Sequence, residues 1–368
     1  MREFKILAVL IVVVGILYWG VEPLAHSVFH PKAAPADFEF KDLERINLSK
    51  GNKDRGEELF QENCQNCHSL KAKGFEAVMG EIEGSIVMPD LSTAGAIYDE
   101  NFLAAFIINP AQAVKLEHKD YLMPPYSAQE EESLEQEVAD IVAFLKSIGN
   151  ASLKQAVNFS DEFVAKQEAI EKSALSESQK NEAIENIREH LTDKAVFIDA
   201  CSRCHSIKYD EPKTAEQVAI NDKKRAEIQS YLGAKAPDLS MMIRSKGEHY
   251  LEWFINDPQK VSYNAIKQAI LDADANANLS TNATKFAWQE DEDFSNLAKQ
   301  MDVMPVGLSM PRVGLNEESQ KRVVRYLESI GDSKKAERES LGVSIIIFFG
   351  VLSVFAYLWK RKKWKDLH

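Results

Sequence analysis

The 368-residue chain has only four cysteines, and none lies outside two five-residue motifs. No thiol is left over for a disulfide framework. Basic charge is also scarce: 44 Lys and Arg stand against 57 Asp and Glu, a net charge of -13. The last nine residues, with Lys360, Arg361, Lys362, Lys363 and Lys365 against Asp366, carry +4, so the rest carries -17. A basic face is missing, which argues against nucleic acid as partner. The acidity suits a basic partner protein met at speed, and it also serves solubility. There is no long low-complexity tract, and uncharged runs of sixteen residues or more are confined to the two ends.

What is present is a doubled motif. Cys64-Gln65-Asn66-Cys67-His68 recurs as Cys201-Ser202-Arg203-Cys204-His205. Each is a C-x-x-C-H, the attachment pattern of heme c. Two thiols three positions apart can each add to one vinyl group of the same porphyrin, and the adjacent His places an imidazole on the iron. A zinc site fits poorly, since the adjacent His cannot easily join both thiolates around one tetrahedral metal. Two covalently bound heme c groups are therefore expected, on Cys64, Cys67, Cys201 and Cys204. Bacteria attach heme c outside the cytoplasm, so the bulk of the chain is expected to be exported.

The ends read as membrane anchors. Residues 6–21 are free of charge, preceded by Arg2 and Lys5, with Tyr18 and Trp19 at an interfacial position. No small-residue cleavage site is obvious, which favours an uncleaved N-terminal transmembrane anchor over residues 1–24. Residues 341–359 are nineteen without a charge, long enough to span, and the basic tail 360–368 follows at once. The positive-inside rule puts both termini in the cytoplasm and everything between the spans on the other face.

Between the anchors the pattern predicts a linker at 25–51, with Pro23 just before it, Pro31 and Pro35 within it, and His26 and His30 read as interfacial polar residues. A first module follows at 52–150, a polar helical connector at 151–191, and a second module at 192–332. In the first module a short helix over 54–63 leads into the motif. Another over 101–108 stops at Pro110. A third runs from about 128 to 148, with Val138, Ile141, Val142 and Leu145 on one face and Gly149 as its stop. The modules are internal repeats. Phe60 and Phe197 each precede the first motif cysteine by four residues. Pro89-Asp90-Leu91-Ser92 and the stretch 101–110 recur 148 positions on, whereas Phe144-Leu145-Lys146-Ser147-Ile148-Gly149 recurs 182 on, which locates an insertion between about 259 and 301.

An iron that only moves electrons needs two axial ligands. His68 and His205 supply one each, and the thioether of Met is the usual other. Met123, fifty-five residues after His68 and just before the closing helix, is the expected ligand of the first site. Met79 and Met88 lie too close to the motif, and His118 reads as a surface loop histidine. In the second module Met304 and Met310 both open a Met-Pro dipeptide, and spacing alone does not decide between them. Met310 is preferred because Asn316 then serves as N-cap of the following helix. The ligating imidazoles are expected to give their other N–H to the carbonyls of Pro89 and Pro237.

On these residues both modules resemble the class I cytochrome c family: C-x-x-C-H, a Pro-x-Leu loop, then Met-Pro before a terminal helix. That resemblance implies an all-α fold, two tandem cytochrome c domains flanked by two single transmembrane helices. The whole chain resembles the diheme cytochrome c subunit of the bacterial quinol–cytochrome c reductase, through the C-terminal anchor ending in Trp359-Lys360-Arg361-Lys362-Lys363-Trp364 and the opening Tyr18-Trp19-Gly20-Val21-Glu22-Pro23. It implies an electron-transfer subunit of the inner membrane, no enzyme on its own, with cytochrome b and Rieske iron–sulfur partners and a periplasmic cytochrome c or oxidase as acceptor. A diheme subunit of a heme–copper oxidase and a diheme peroxidase-like enzyme are the rival readings.

Overall fold

The computed structural model describes residues 2–21, 24, 36–79, 88–116, 123–128, 133–210, 215–232, 234–261, 264 and 310–365. His26, His30, His118 and Met304 lie outside them, as does almost all of the expected insertion. Helix predominates; among the described residues there is no strand, only the isolated bridges Leu70–Phe75 and Tyr98–Leu315. The chain falls into two compact units, Met1–Asp37 and Phe38–His368. The first is built on helix α1, Arg2–Ile16, continued by a π-turn at Leu17–Val21. Its stretch Phe4–Val21 is long and apolar enough to cross a membrane.

In the second unit the first bundle consists of α2 (Lys53–Asn63), α3 (Ala94–Ile97), α4 (Glu100–Ile108), α5 (Pro110–Ala113) and α6 (Leu134–Asn158). Asn52 caps α2, its Oδ1 accepting from the N–H groups of Asp54 and Arg55. Helices α2 and α6 cross in backbone contact at Gly56, where a Cβ would lie 2.0 Å from the Asp140 carbonyl oxygen. One turn on, Phe60 and Phe144 meet at 5.9 Å between ring centroids. Phe60 is fully buried among Leu59, Leu103, Ile141 and Leu145, a burial of about 1.5–3 kcal/mol per large side chain.

The second bundle repeats this crossing with other chemistry. Helices α7 (Asp161–Glu171) and α8 (Glu177–Cys201) lead into α9 (Ala215–Leu232), α10 (Met242–Lys246), α11 (Glu248–Asn256) and α12 (Glu317–Gly331). Phe197 on α8 meets Tyr326 on α12 at 5.1 Å. Asp193 stands where Gly56 stands in the first bundle, and instead of a backbone contact it forms ion pairs with Arg322 and Arg325 at 3.0 and 2.9 Å. A neighbouring pair is inverted: Lys73–Glu57 in one copy, Asp210–Lys194 in the other, both at 2.9 Å. Asn316 caps α12 as expected, its Oδ1 accepting from the Ser319 N–H.

Several boundaries differ from those the sequence pattern suggests. Gly149 does not stop α6, which runs on to Asn158. That glycine is a contact: a Cβ there would lie 2.4 Å from the backbone nitrogen of Ala96, so α3 can lie directly on α6. Connector and second module are joined within one helix, because α8 starts at a capping box on Ser176 and Gln179 and meets no breaker before Cys201. The stretch expected as linker is packed from about residue 38 on: Phe40 and Leu43 are buried, and Phe40 lies 5.5 Å from the Phe102 ring. Beside the first module's own core around Phe60, the two modules share a second one. Ile97 of α3, 1% exposed, belongs to the same core as Val196, Phe197, Cys201 and Leu315. Helix α13, Lys335–Lys365, closes the chain. Its stretch Ser344–Lys365 is the second apolar enough and long enough to cross a membrane, and it contains most of the run expected at 341–359.

Candidate heme-attachment sites

Helix α2 ends at the first motif, where a tight turn takes over: the Cys67 and His68 N–H groups both donate to the Cys64 carbonyl, at 3.1 and 2.9 Å. This turn brings both thiols and the imidazole into one short arc. His68 Nδ1 lies 3.0 Å from the Pro89 carbonyl oxygen. A carbonyl can only accept, so Nδ1 carries the proton and Nε2 is left with its lone pair free for a metal. Burial lowers the His68 pKa, with the Pro89 hydrogen bond opposing and the Arg203 charge adding to the fall, so the imidazole is held neutral. Burial pushes the Cys64 thiol up to about 11, helped by Cys67. Met79 lies alongside, its Sδ 3.8 Å from Cys67 Sγ.

The second motif follows the same plan. Cys204 and His205 donate to the Cys201 carbonyl at 3.1 and 3.0 Å. His205 Nδ1 lies 2.9 Å from the Pro237 carbonyl oxygen, and burial lowers its pKa against that hydrogen bond. Burial pushes the Cys201 thiol up to about 12.

A clasp behind each histidine was missed in the sequence. Asp90 Oδ2 accepts from Ser69 Oγ at 2.7 Å and from the Lys71 N–H at 2.9 Å, and Oδ1 accepts from the Ser92 N–H at 3.0 Å. Asp238 does the same with Ser206, Lys208 and Ser240, at 3.0, 2.9 and 3.1 Å. Each carboxylate ties the residues after its histidine to the loop whose proline holds that histidine. The signal was available: His-Ser-x-Lys recurs with Pro-Asp-Leu-Ser in both copies. Burial alone would raise both carboxyls, yet these hydrogen bonds win and hold them below the usual 3.8. With the folded value depressed, the stabilisation is complete above pH 3.8 and is lost as pH falls through the folded value. Asp90→Ala is expected to cost about 1.5–3 kcal/mol, towards the lower figure because the carboxylate is half-exposed. Asp90→Asn with Asp238→Asn should blunt the acid limb of a stability-versus-pH curve measured by chemical denaturation.

The segment holding Met123 is fastened to the first module's helices through Tyr126. Tyr126 donates its N–H to the Ile107 carbonyl at 3.0 Å and its hydroxyl to Glu137 at 2.6 Å. Tyr126 and Cys64 border the same apolar core. Met310 opens a segment held by both modules: its carbonyl accepts from Gln259 Nε2 of the second at 3.1 Å, and the Arg312 N–H donates to the Val114 carbonyl of the first at 3.0 Å. Val114 belongs to an apolar cluster, with Phe102 and Leu232, that Cys204 borders.

All four thiols are free of disulfides, and among the described residues no three His, Cys, Asp or Glu side chains converge to hold a bare metal ion. Paired free thiols beside a neutral imidazole with a committed Nδ1 fit a tethered iron porphyrin. A small helical bundle organised in this way defines an electron-transfer domain. The comparison with known families agrees for the first bundle: residues 54–149 match the family described as Cytochrome c. The chain thus contains a cytochrome c domain, whose role is electron transfer by covalently bound heme c. No curated protein and no solved structure matches the chain.

Proposed function

We propose that the chain is a membrane-anchored diheme c-type cytochrome, the relay subunit of a quinol–cytochrome c reductase in a respiratory chain. The observation that carries the reading is the doubled clasp: each C-x-x-C-H has its histidine on a prolyl carbonyl and an aspartate tying that loop down. Heme iron, when bound, supplies a one-electron redox change. The chain's own share is to tether, ligate and shield it. Cys64 and Cys67 would hold one group and Cys201 and Cys204 the other. His68 with Met123, and His205 with Met310, would be the axial ligands. Thioether ligation favours a high potential, suited to taking electrons from a Rieske iron–sulfur protein and passing them to a periplasmic cytochrome c or an oxidase. Cytochrome b would be the remaining partner, and quinol chemistry would belong there.

Two apolar helices near the ends are compatible with membrane anchoring. With basic residues flanking both, the heme modules would face the periplasm and both termini the cytoplasm. Purification in mild detergent tests the assignment. Co-elution with a cytochrome b and a Rieske protein, with two equivalents of heme c per chain, is the expected result. Co-elution with a copper oxidase core would move the chain to a terminal oxidase instead.

A further inference from the structure

The backbone that follows Met310 runs along the other module. Arg312 donates its N–H to the Val114 carbonyl at 3.0 Å, and the Gly314 carbonyl accepts from the Asp99 N–H at 3.0 Å. Leu315 pairs with Tyr98. Asn316 donates its N–H to the Ile97 carbonyl at 3.0 Å and its Nδ2 to the Ala96 carbonyl at 2.7 Å. The second module adds Gln259 on the Met310 carbonyl and Asp257 on Arg312. The Met123 segment is held differently: Tyr126 ties it to Ile107 and Glu137, both of its own bundle.

Side chains repeat the pattern. Helix α4 has two apolar faces. Leu103, Ala104 and Ile107 belong to the first module's core, which Cys64 borders. Phe102, with Ala105 and Phe106 beside it, belongs to the cluster that Cys204 borders. The Phe102 ring also fills the space over Gly314, where a Cβ would lie 2.1 Å from its Cδ1. Gly314 holds a φ of 73°, a second reason for glycine there. One aromatic side chain of the first module thus lies against the Met310 segment and in the cluster beside a thiol of the second motif.

We propose that the second heme site is a composite of both modules. Phe102 walls it from the first module, and the first module's backbone at residues 96–99 and 114 places the segment that presents Met310. This rests on the reading of Met310 as axial ligand of a second heme. Phe102 and Asn316 are positioning residues: they act on the iron through the segment that carries its ligand. A segment already held in place loses little freedom when its sulfur binds, so the bond is favoured. Loosening the segment leaves the sulfur easier to displace. Substitutions in the first module should therefore be felt at the second iron.

The test is an imidazole titration of the ferric, detergent-solubilised full chain. Imidazole competes with methionine sulfur for the sixth position, and loss of the methionine-to-iron band follows the displacement. Hemochrome analysis counts the hemes in the same samples. Met310→Ala identifies the second heme's phase, because that iron then has no sulfur to displace. Phe102→Leu, a first-module substitution, should raise the imidazole affinity of that phase by about threefold to tenfold and leave the other phase in place. Asn316→Asp keeps an acceptor for the Ser319 N–H but sets two oxygens against each other at Ala96. It should give a similar shift, the worth of one hydrogen bond being about threefold to tenfold, and it carries the same test should Phe102→Leu not mature. Shifts confined to the first heme, equal for both, or absent would overturn the composite site and leave Met310 as ligand. Two parental phases in Met310→Ala, or one heme equivalent in the parent chain, would overturn the ligand reading and the proposal with it.

Discussion

Serine at Cys201 and Cys204 is expected to leave a chain with one equivalent of thioether-bound heme where the parent holds two. Serine at Cys64 and Cys67 should give the same count by removing the other. Both pairs of thiols are free, both are followed by an imidazole whose Nδ1 is already committed to a prolyl carbonyl, and no other cysteine could substitute. Pyridine hemochrome analysis after denaturation in acid acetone reads the count directly. Retention of two equivalents in either variant would mean that the porphyrin is tethered elsewhere. The two variants should differ in stability. Cys201 is buried within the core shared by both modules, whereas Cys64 only borders the first module's own core. Loss of the second heme should therefore loosen the first module as well, seen as a lower midpoint of unfolding monitored at the remaining Soret band.

The features legible in the sequence are those that repeat or that act over a few residues. The two motifs, the recurrence of Phe60 as Phe197 and of Phe144 as Tyr326, and the cap at Asn316 could be found because their spacing is copied or their partner is three residues away; that each pair of rings meets is seen only in the structure. The prolyl carbonyls were reachable through the chemistry of a ligating imidazole. The features not legible are those in which the copies diverged while the geometry persisted. Glu57 with Lys73 became Lys194 with Asp210, so charge at a given position reversed although the contact did not. Gly56 against Asp140 became Asp193 against Arg322. Gly149 looked like a helix stop because glycine commonly is one, but a close approach of two helices asks for the same residue. The shared core had no local signature, since Ile97 and Cys201 show no periodicity that links them.

A buried charge cluster between the modules was equally invisible, and it should dominate the stability of their junction. Asp257 is expected to be its most sensitive member. It touches both cations, Lys115 in a short contact and Arg312 at 2.9 Å. Asp42, from the stretch expected as linker, reaches the same two at 3.5 and 2.8 Å. The Lys115 and Arg312 side chains are 2% and 3% exposed, against 36% for Asp42. Arg312 also has Nε and Nη1 without a hydrogen-bond partner, its guanidinium lying over the Phe40 ring at 5.5 Å. Phe40 and Lys115 both hold positive φ, at 46° and 60°, a conformation costing non-glycine residues about 1–2 kcal/mol each. The contacts must outweigh that strain. Asp257→Ala would leave two buried cations with one half-exposed carboxylate, and removal of one partner from a buried pair costs about 3–5 kcal/mol. Asp42→Asn should cost less, about 1 kcal/mol, because solvent screens it. Arg312 lies two residues after Met310, so the same variant should also weaken the thioether ligation expected at the second site. Loss of the methionine-to-ferric-iron absorption band for one heme of two, together with the lower unfolding midpoint, is the expected outcome. A stable Asp257→Ala protein with both bands intact would show that the cluster neither secures the junction nor holds the Met310 segment in place.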